Sequence, residues 1–225
     1  MTSFADLYAR AVVRKGEVEL EERIPVSPSR EALADTPDDR FLSMMTRRVF
    51  QAGFVYRVIE AKWPGFEEAF EGFDPPRVAT MSGAEVSALK QDTRIVRNGQ
   101  KIEATIENAR FVCDIAEEHG SLGRFVADWP DTDLVGLWAL LKKRGARLGG
   151  DTGPRFLRAM GKPTFVLTQD VVRALVEHGV VEKKPTSKKA LQAAQEAFDN
   201  WSAESGRDHS AISIVLACTI DSGEH

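Results

Sequence analysis

The chain has 225 residues, 43% of them hydrophobic and 28% charged, with a formal net charge of −4, a balance that suits one large globular domain or two intimate small ones and excludes a chain too polar to bury a core. Two cysteines, Cys113 and Cys218, exclude a disulfide framework and a cysteine-built zinc cluster, which points to a reducing cytoplasm. The uncharged run 210–220 is too short to cross a bilayer, and Asp6 stands where a signal peptide would need its apolar core, so no membrane partner is expected.

In chain order, Ser3 caps a predicted helix over 3–15 that carries Phe4, Leu7, Tyr8, Ala11 and Val12 on one face. Over 16–39 the periodicity fades, and Pro25, Pro28 and Pro37 predict an irregular connector, so 1–40 reads as a helix plus connector ahead of a helical domain over 41–225. Asp38 or Asp39 opens a strong helix in which Phe41, Leu42, Met45, Val49, Ala52, Phe54, Val55 and Ile59 keep helical spacing until Pro64 ends it. Arg47, Arg48, Gln51 and Tyr56 interrupt that apolar series, and polar groups so placed need partners. Phe66, Phe70 and Phe73 predict a short helix that stops at Asp74-Pro75-Pro76, and Ser82 with Glu85 forms a capping-box pattern. A turn at Asn98-Gly99 precedes a long amphipathic helix over 101–119, closed by Gly120. Gly123 begins a brief element that breaks at Trp129-Pro130.

The stretch 131–170 is the most informative. Leu134, Leu137, Trp138, Leu140 and Leu141 recur at helical spacing, Lys142, Lys143 and Arg144 occupy the last turn, and Gly145 stops the helix. Gly149 and Gly150 permit close backbone approach, and Asp151 or Thr152 can cap a second helix bearing Phe156, Leu157 and Met160. The pattern is helix, hairpin, helix, at about 134–160. Amides at the second N-terminus suit a phosphate, because unpaired N–H groups and the helix dipole both favour negative charge. Although the whole chain is acidic, 141–173 holds eight cations against two carboxylates, a local excess of six. Further helices are predicted at 171–178, around Ala190 to Trp201, and at 210–219. No alternating strand pattern of useful length occurs, and the predicted fold class is all-α.

With these residues in view, 41–173 resembles the DNA-3-methyladenine glycosylase I family, within the helix-hairpin-helix superfamily of base-excision enzymes. The resemblance is carried by Gln51-Ala52-Gly53, by Phe70 with Phe73-Asp74-Pro75 and Val78-Ala79, and by Ile95-Val96-Arg97-Asn98 with Lys101-Ile102, Ala104 and Asn108-Ala109-Arg110. Leu141-Lys142-Lys143-Arg144-Gly145, Gly150, Thr152 and Phe156 continue it. It implies a two-lobed helical monomer that binds duplex DNA through the minor groove, flips out a damaged nucleotide and hydrolyses its N-glycosidic bond. Lys143, Arg144, Gly145, Arg147, Gly149, Gly150, Thr152 and Arg155 would contact DNA, and Arg48, Phe50, Gln51, Tyr56 and Trp138 would line the base pocket. Trp138 also lies on the apolar stripe of its helix, where a core role serves equally.

The sequence departs from the family at two places and from members of its superfamily at two more. The family carries a base-recognising glutamate three residues before Gln-Ala-Gly, where this chain has Arg48, while Tyr56 keeps the stacking aromatic three residues after that element. The family's zinc site has no counterpart, since no Cys–His pair stands near the N-terminus and the downstream positions correspond to Asp170 and Ala174; the four histidines, His119, His178, His209 and His225, are scattered, and neither metal nor other cofactor is expected. The superfamily's catalytic aspartate position falls on Thr168, with Asp170 two residues on; Asp170 either stabilises an oxocarbenium-like sugar and orients water, or caps the helix at Val171. Asp151-Thr152 replaces the Schiff-base lysine of lyase members, implying a monofunctional hydrolase. The alternative is a catalytically degenerate DNA- or lesion-binding protein on the same scaffold.

Overall fold

Capping residues and chain breakers decide where the helices begin and end. The computed structural model describes residues 2–221. In chain order its helices are α1 (Phe4–Lys15), α2 (Glu17–Arg23), α3 (Arg30–Ala34), α4 (Asp38–Gln51), α5 (Tyr56–Ala69), α6 (Pro75–Ala79) and α7 (Gly83–Leu89). There follow α8 (Gly99–His119), α9 (Leu122–Asp128), α10 (Leu134–Arg144), α11 (Thr152–Met160), α12 (Gln169–Glu177), α13 (Lys188–Ser205) and α14 (His209–Cys218). Among the described residues there is no strand, and no helix is long and apolar enough to cross a membrane. The protein is all-α.

Ser3 accepts the Asp6 amide at the start of α1, Ser82 and Glu85 form a reciprocal capping box on α7, and Asn98 caps α8. Three sequence expectations need correction. The stretch 16–39 is not irregular throughout, because α2 and α3 form within it around buried Leu20 and Leu33. The long helix expected to run to Pro64 is two helices, α4 and α5, separated at 52–55 by a turn with Gly53 at φ 76°. Pro64 lies inside α5, where buried Ile59, Trp63 and Phe66 hold the flanking turns in place despite the missing amide. The prolines after Asp74 likewise begin α6 rather than end a helix, with Pro75 at the first helical position and the Asp74 side chain accepting the Arg77 amide.

The chain divides into two compact units. One comprises the described residues of Met1–Ser27, Pro130–Leu137 and Pro163–His225. Its core is built around Trp201, whose Nε1 donates to the Thr2 carbonyl at 2.9 Å, and Phe165, stacked on Phe198 with centroids 4.3 Å apart. Ala211, Ile212, Val215 and Leu216 are buried along α14, and the Ser210 hydroxyl receives the Thr164 amide at 3.0 Å. The division places the first 27 residues with the C-terminal helices rather than with what directly follows them.

The other unit is Pro28–Trp129 with Trp138–Lys162. Its centre is an aromatic stack of Trp63, Phe66, Phe70 and Phe73, all buried, and α4 lies against both α8 and α11. Glu67 fastens α4 to α5 by accepting from the Ser43 hydroxyl at 2.8 Å and the Trp63 indole at 3.0 Å. Burial would push the Glu67 carboxyl up, but those bonds and the Arg40 guanidinium outweigh it and hold it below the ordinary glutamate range. Phe50 belongs to this core. Its side chain is fully buried, edge-on to Phe66 with centroids 4.7 Å apart, so a base cannot reach the ring and its expected place in a pocket wall is corrected to the core. Phe50→Ala should therefore lower unfolding free energy by about 3–5 kcal/mol in a urea titration.

Candidate nucleic-acid interface

The hairpin between α10 and α11 is shaped by glycine and leucine. A Cβ on Gly145 would sit 2.5 Å from Leu148 Cδ1 and 2.9 Å from the Leu141 carbonyl oxygen, so only glycine lets Leu148 fill the space beneath the turn. Arg147 adopts φ 59° without being glycine, and Gly150 adopts φ 62°. A buried side chain from α8 supports this conformation: the Ala146 amide donates to Asn108 Oδ1 at 2.7 Å, and Asn108 Nδ2 donates to the Ala146 carbonyl at 3.1 Å. No side chain caps α11. Asp151 at the N-cap position has helical φ and ψ, from which its carboxylate does not bond the first-turn amides, so the expectation of a cap at Asp151 or Thr152 is not met.

Lys143, Arg147, Gly150 and Arg155 are exposed around this hairpin, with Gly145, Gly149 and Thr152 half-buried. Arg144 is committed elsewhere. Its two terminal nitrogens donate to both Glu118 oxygens at 2.9 Å, and its guanidinium lies 5.6 Å from the Phe111 ring centre, tying α10 to α8. Trp138 is buried.

A second group of residues gathers where α4 ends. Arg48 Nη1 donates to Gln51 Oε1 at 2.9 Å, and Gln51 Nε2 donates to Glu60 Oε1 at 2.7 Å. The other Glu60 oxygen faces Arg47 at 3.6 Å, and the Arg47 guanidinium covers Trp63 at 4.3 Å. This chain orients the Gln51 amide completely. Arg48 Nε is buried with no hydrogen-bond partner. Burial pushes the Arg48 pKa below the usual guanidinium range, Tyr56 opposes that shift, and Arg155 and Arg47 add to it.

Beyond Gln51 the chain turns sharply over a buried ammonium. Lys101 Nζ donates to the carbonyls of Phe50 at 3.1 Å and Ala52 at 2.6 Å, and it lies 4.5 Å from the Phe54 ring centre. Burial, with Arg147 nearby, pushes the Lys101 pKa down. The turn presents a run of apolar surface, with Phe54 40%, Val55 68%, Tyr56 49% and Val58 45% exposed. Sequence reasoning singled out Tyr56, assigned no role to Glu60, counted Lys101 only among the residues carrying the family resemblance, and placed Phe54 and Val55 on the apolar face of one long helix, where the structure instead exposes both. A signal for Lys101 did exist, since it shares the helical face of Thr105 and Asn108, a polar series on a side of α8 that is buried.

Asp170, in the other unit, stands in the first turn of α12, but the cap is Thr168, whose hydroxyl accepts the Val171 amide at 3.3 Å. The capping role considered for Asp170 is thus corrected. No group of three or more His, Cys, Asp or Glu side chains is placed to hold a metal among the described residues, and His225 lies outside them. A cavity of about 630 Å³ lined by Asp38, Asp39, Glu71, Asp74 and Cys113, among others, is walled by carboxylates and has the wrong sign for a nucleic-acid backbone.

Comparison with known proteins agrees with this layout. A family model described as methyladenine glycosylase matches residues 33–151. The DNA-3-methyladenine glycosylase of Haemophilus influenzae is 28% identical over 130 residues, covering 49% of this chain and 70% of that protein. A crystal structure of a 3-methyladenine DNA glycosylase I superposes with a TM-score of 0.50 at 25% identity, over 64% of this chain and 86% of the other. The 8-oxoguanine DNA glycosylase of Methanocaldococcus jannaschii superposes over 95% of this chain and 91% of its own, with a TM-score of 0.56 at 13% identity, a likeness of fold.

The Asn108 clamp yields a direct test. Asn108→Ala leaves both polar groups of Ala146 without their side-chain partner, which should cost about 1–3 kcal/mol of stability by thermal or urea unfolding. Hydrogen exchange at the Ala146 amide should accelerate more than exchange in α8. An unchanged Ala146 exchange rate would show that the hairpin conformation does not depend on Asn108.

Proposed function

Because the chain belongs to the methyladenine glycosylase family, we propose that it is a monofunctional DNA base-excision enzyme that hydrolyses the N-glycosidic bond of alkylated purines. The observation that carries this reading is the exposed turn at 54–58, apolar but for Arg57 and with Lys101 against Phe54, together with a hairpin that bears exposed Lys143 and Arg147 and leads into a helix with no side-chain cap. Amides at the start of α11, with Arg147, Lys143 and Arg155, bind backbone phosphates without reading sequence. Phe54 and Val55 enter the base stack as an apolar wedge. Extruding one nucleotide costs a few kcal/mol, which the phosphate contacts and the wedge offset, and Tyr56 supplies a stacking face for the extruded base.

The chemistry needed is modest, since an alkylated purine is already a good leaving group. The bond from C1′ to the base nitrogen breaks with its electron pair going to the base, and water adds to C1′, losing a proton. The products are a free base and an abasic site. Asp170 is assigned to stabilising the positive charge that develops on the sugar, on its place in the sequence after the hairpin. The two free thiols, Cys113 and Cys218, both pushed up by burial, suit a reducing cytoplasm.

The test is single-turnover release of free base from a duplex treated with an alkylating agent. Free base should appear with abasic sites and without strand cleavage, and Tyr56→Ala should slow release by roughly tenfold or more. Arg147→Glu should weaken duplex binding and reduce its salt dependence by about one counterion or more. Tight, salt-sensitive binding with no base release would replace the enzyme by a lesion-binding protein.

A further inference from the structure

The unit that holds the C-terminal helices has a basic groove of its own, of about 500 Å³, bounded by α1, α12, the lysine pair at 183–184 and the chain at 220–221. Arg10, Arg14, Arg173, Lys183 and Lys184 line it against two carboxylates, Glu177 and Asp221, an excess of three positive charges in a chain whose net charge is −4. The carboxylates hold two of the cations in place. Glu177 pairs with Arg10 Nη1 at 2.6 Å while Arg10 Nε donates to the Thr219 carbonyl at 3.1 Å, and Asp221 pairs with Arg14 Nη2 at 2.9 Å. A guanidinium has more N–H groups than one carboxylate takes up, so both arginines keep donors to spare. Arg173 donates to the Asp221 carbonyl at 3.4 Å and, like Lys183, has no carboxylate partner among the described residues. Pro185 is buried, which anchors the exposed lysine pair beside it to the unit.

A ligand that meets these charges must bring several negative charges close together. Guanidinium forks mixed with ammonium groups suit tetrahedral phosphate, whose oxygens accept from several sides, better than a planar carboxylate that one fork saturates. A single phosphate leaves part of the positive excess unmet, whereas neighbouring phosphates meet it. Val172 and Val176, the latter 39% exposed, add an apolar flank for the carbon framework that joins or carries the phosphates. We propose that this groove is a binding site for consecutive phosphate groups, those of a free oligophosphate or of a DNA strand. The site uses none of the hairpin residues and does not rest on the base-excision reading.

The probe is sodium tripolyphosphate, titrated calorimetrically into the full-length protein at low salt without divalent metal. It should show saturable binding that the double variant Arg173→Glu, Lys183→Glu weakens by roughly tenfold or more, since both changed side chains are exposed and each reverses a charge facing the ligand. The neutral pair Arg173→Gln, Lys183→Gln should weaken it in the same direction, both variants melting like the parent, and Arg147→Glu in the hairpin should leave this component unchanged. Citrate, a carboxylate anion of similar charge, should bind roughly tenfold more weakly than tripolyphosphate. A short undamaged duplex separates the two sources. Weaker duplex binding by the double variant, with a salt dependence reduced by about two counterions, assigns the groove to a DNA backbone, and unchanged duplex binding assigns it to a free oligophosphate. No tripolyphosphate binding at millimolar concentration, binding unmoved by both double variants, or citrate bound as tightly as tripolyphosphate overturns the site and leaves the base-excision reading untouched.

Discussion

A buried ammonium is an unusual foundation for a turn, and the interface of this protein depends on one. An isolated Lys in the interior is costly, and its charge is tolerated where carbonyl oxygens replace the lost water. Lys101 finds those oxygens at Phe50 and Ala52, the point at which α4 ends and the chain must redirect. The exchange is mutual, because the carbonyls left open by the end of α4 are themselves satisfied. From that single junction follow the outward course of 54–58, the position of Tyr56 at the first turn of α5, and the separation of α4 from α5. Asn108 supports the hairpin from the same helix, seven residues further along α8. One helix thus carries two polar side chains, each buried, that fix the two loops flanking the interface.

Charge is distributed over this surface less simply than its composition suggests. Arg144 looks like part of a basic run, yet it is neutralised by Glu118 and held against Phe111. Arg47 serves as a lid on Trp63, and Glu60 offsets part of its charge. Lys142, Lys143, Arg147 and Arg155 are exposed around the hairpin and the uncapped start of α11. A helix start is itself a partial positive charge, so a small number of exposed cations suffices to define where a phosphate sits.

The parts of the fold legible in the sequence are those whose cause is local. Ser3 and Ser82 cap the helices they were expected to cap, Asn98, read as part of a turn, also caps one, and the glycines of the hairpin stand where the backbone turns. The break at 52–55 escaped because apolar residues keep helical spacing from Phe41 to Ile59 across the interrupting polar positions, while the bond that holds the turn, beside Gly53 at φ 76°, comes from a lysine some fifty positions away. Pro64 misled for the opposite reason, since a strong local breaker is overridden by the aromatic stack around Trp63 and Phe66. Family resemblance pointed to Arg48 and Tyr56, but the bonds that orient Arg48 involve Glu60, a residue no pattern marked. Phe50 was read as a pocket residue, and its burial against Phe66 puts it in the core.

The bond from Trp201 to the Thr2 carbonyl has a kinetic meaning beyond its contribution to the core. During synthesis α1 and α2 emerge well before the helices they pack against, α13 and α14. The unit built from Pro28–Trp129 and Trp138–Lys162 has no such wait, because its segments are nearly continuous in the chain. Sequence separation between contacting segments slows their pairing. The roughly twenty residues of α1 and α2 are therefore obliged to wait for those partners until α13 and α14 have been made, with Leu7, Ala11 and Leu20 open to solvent or to a chaperone in the interval.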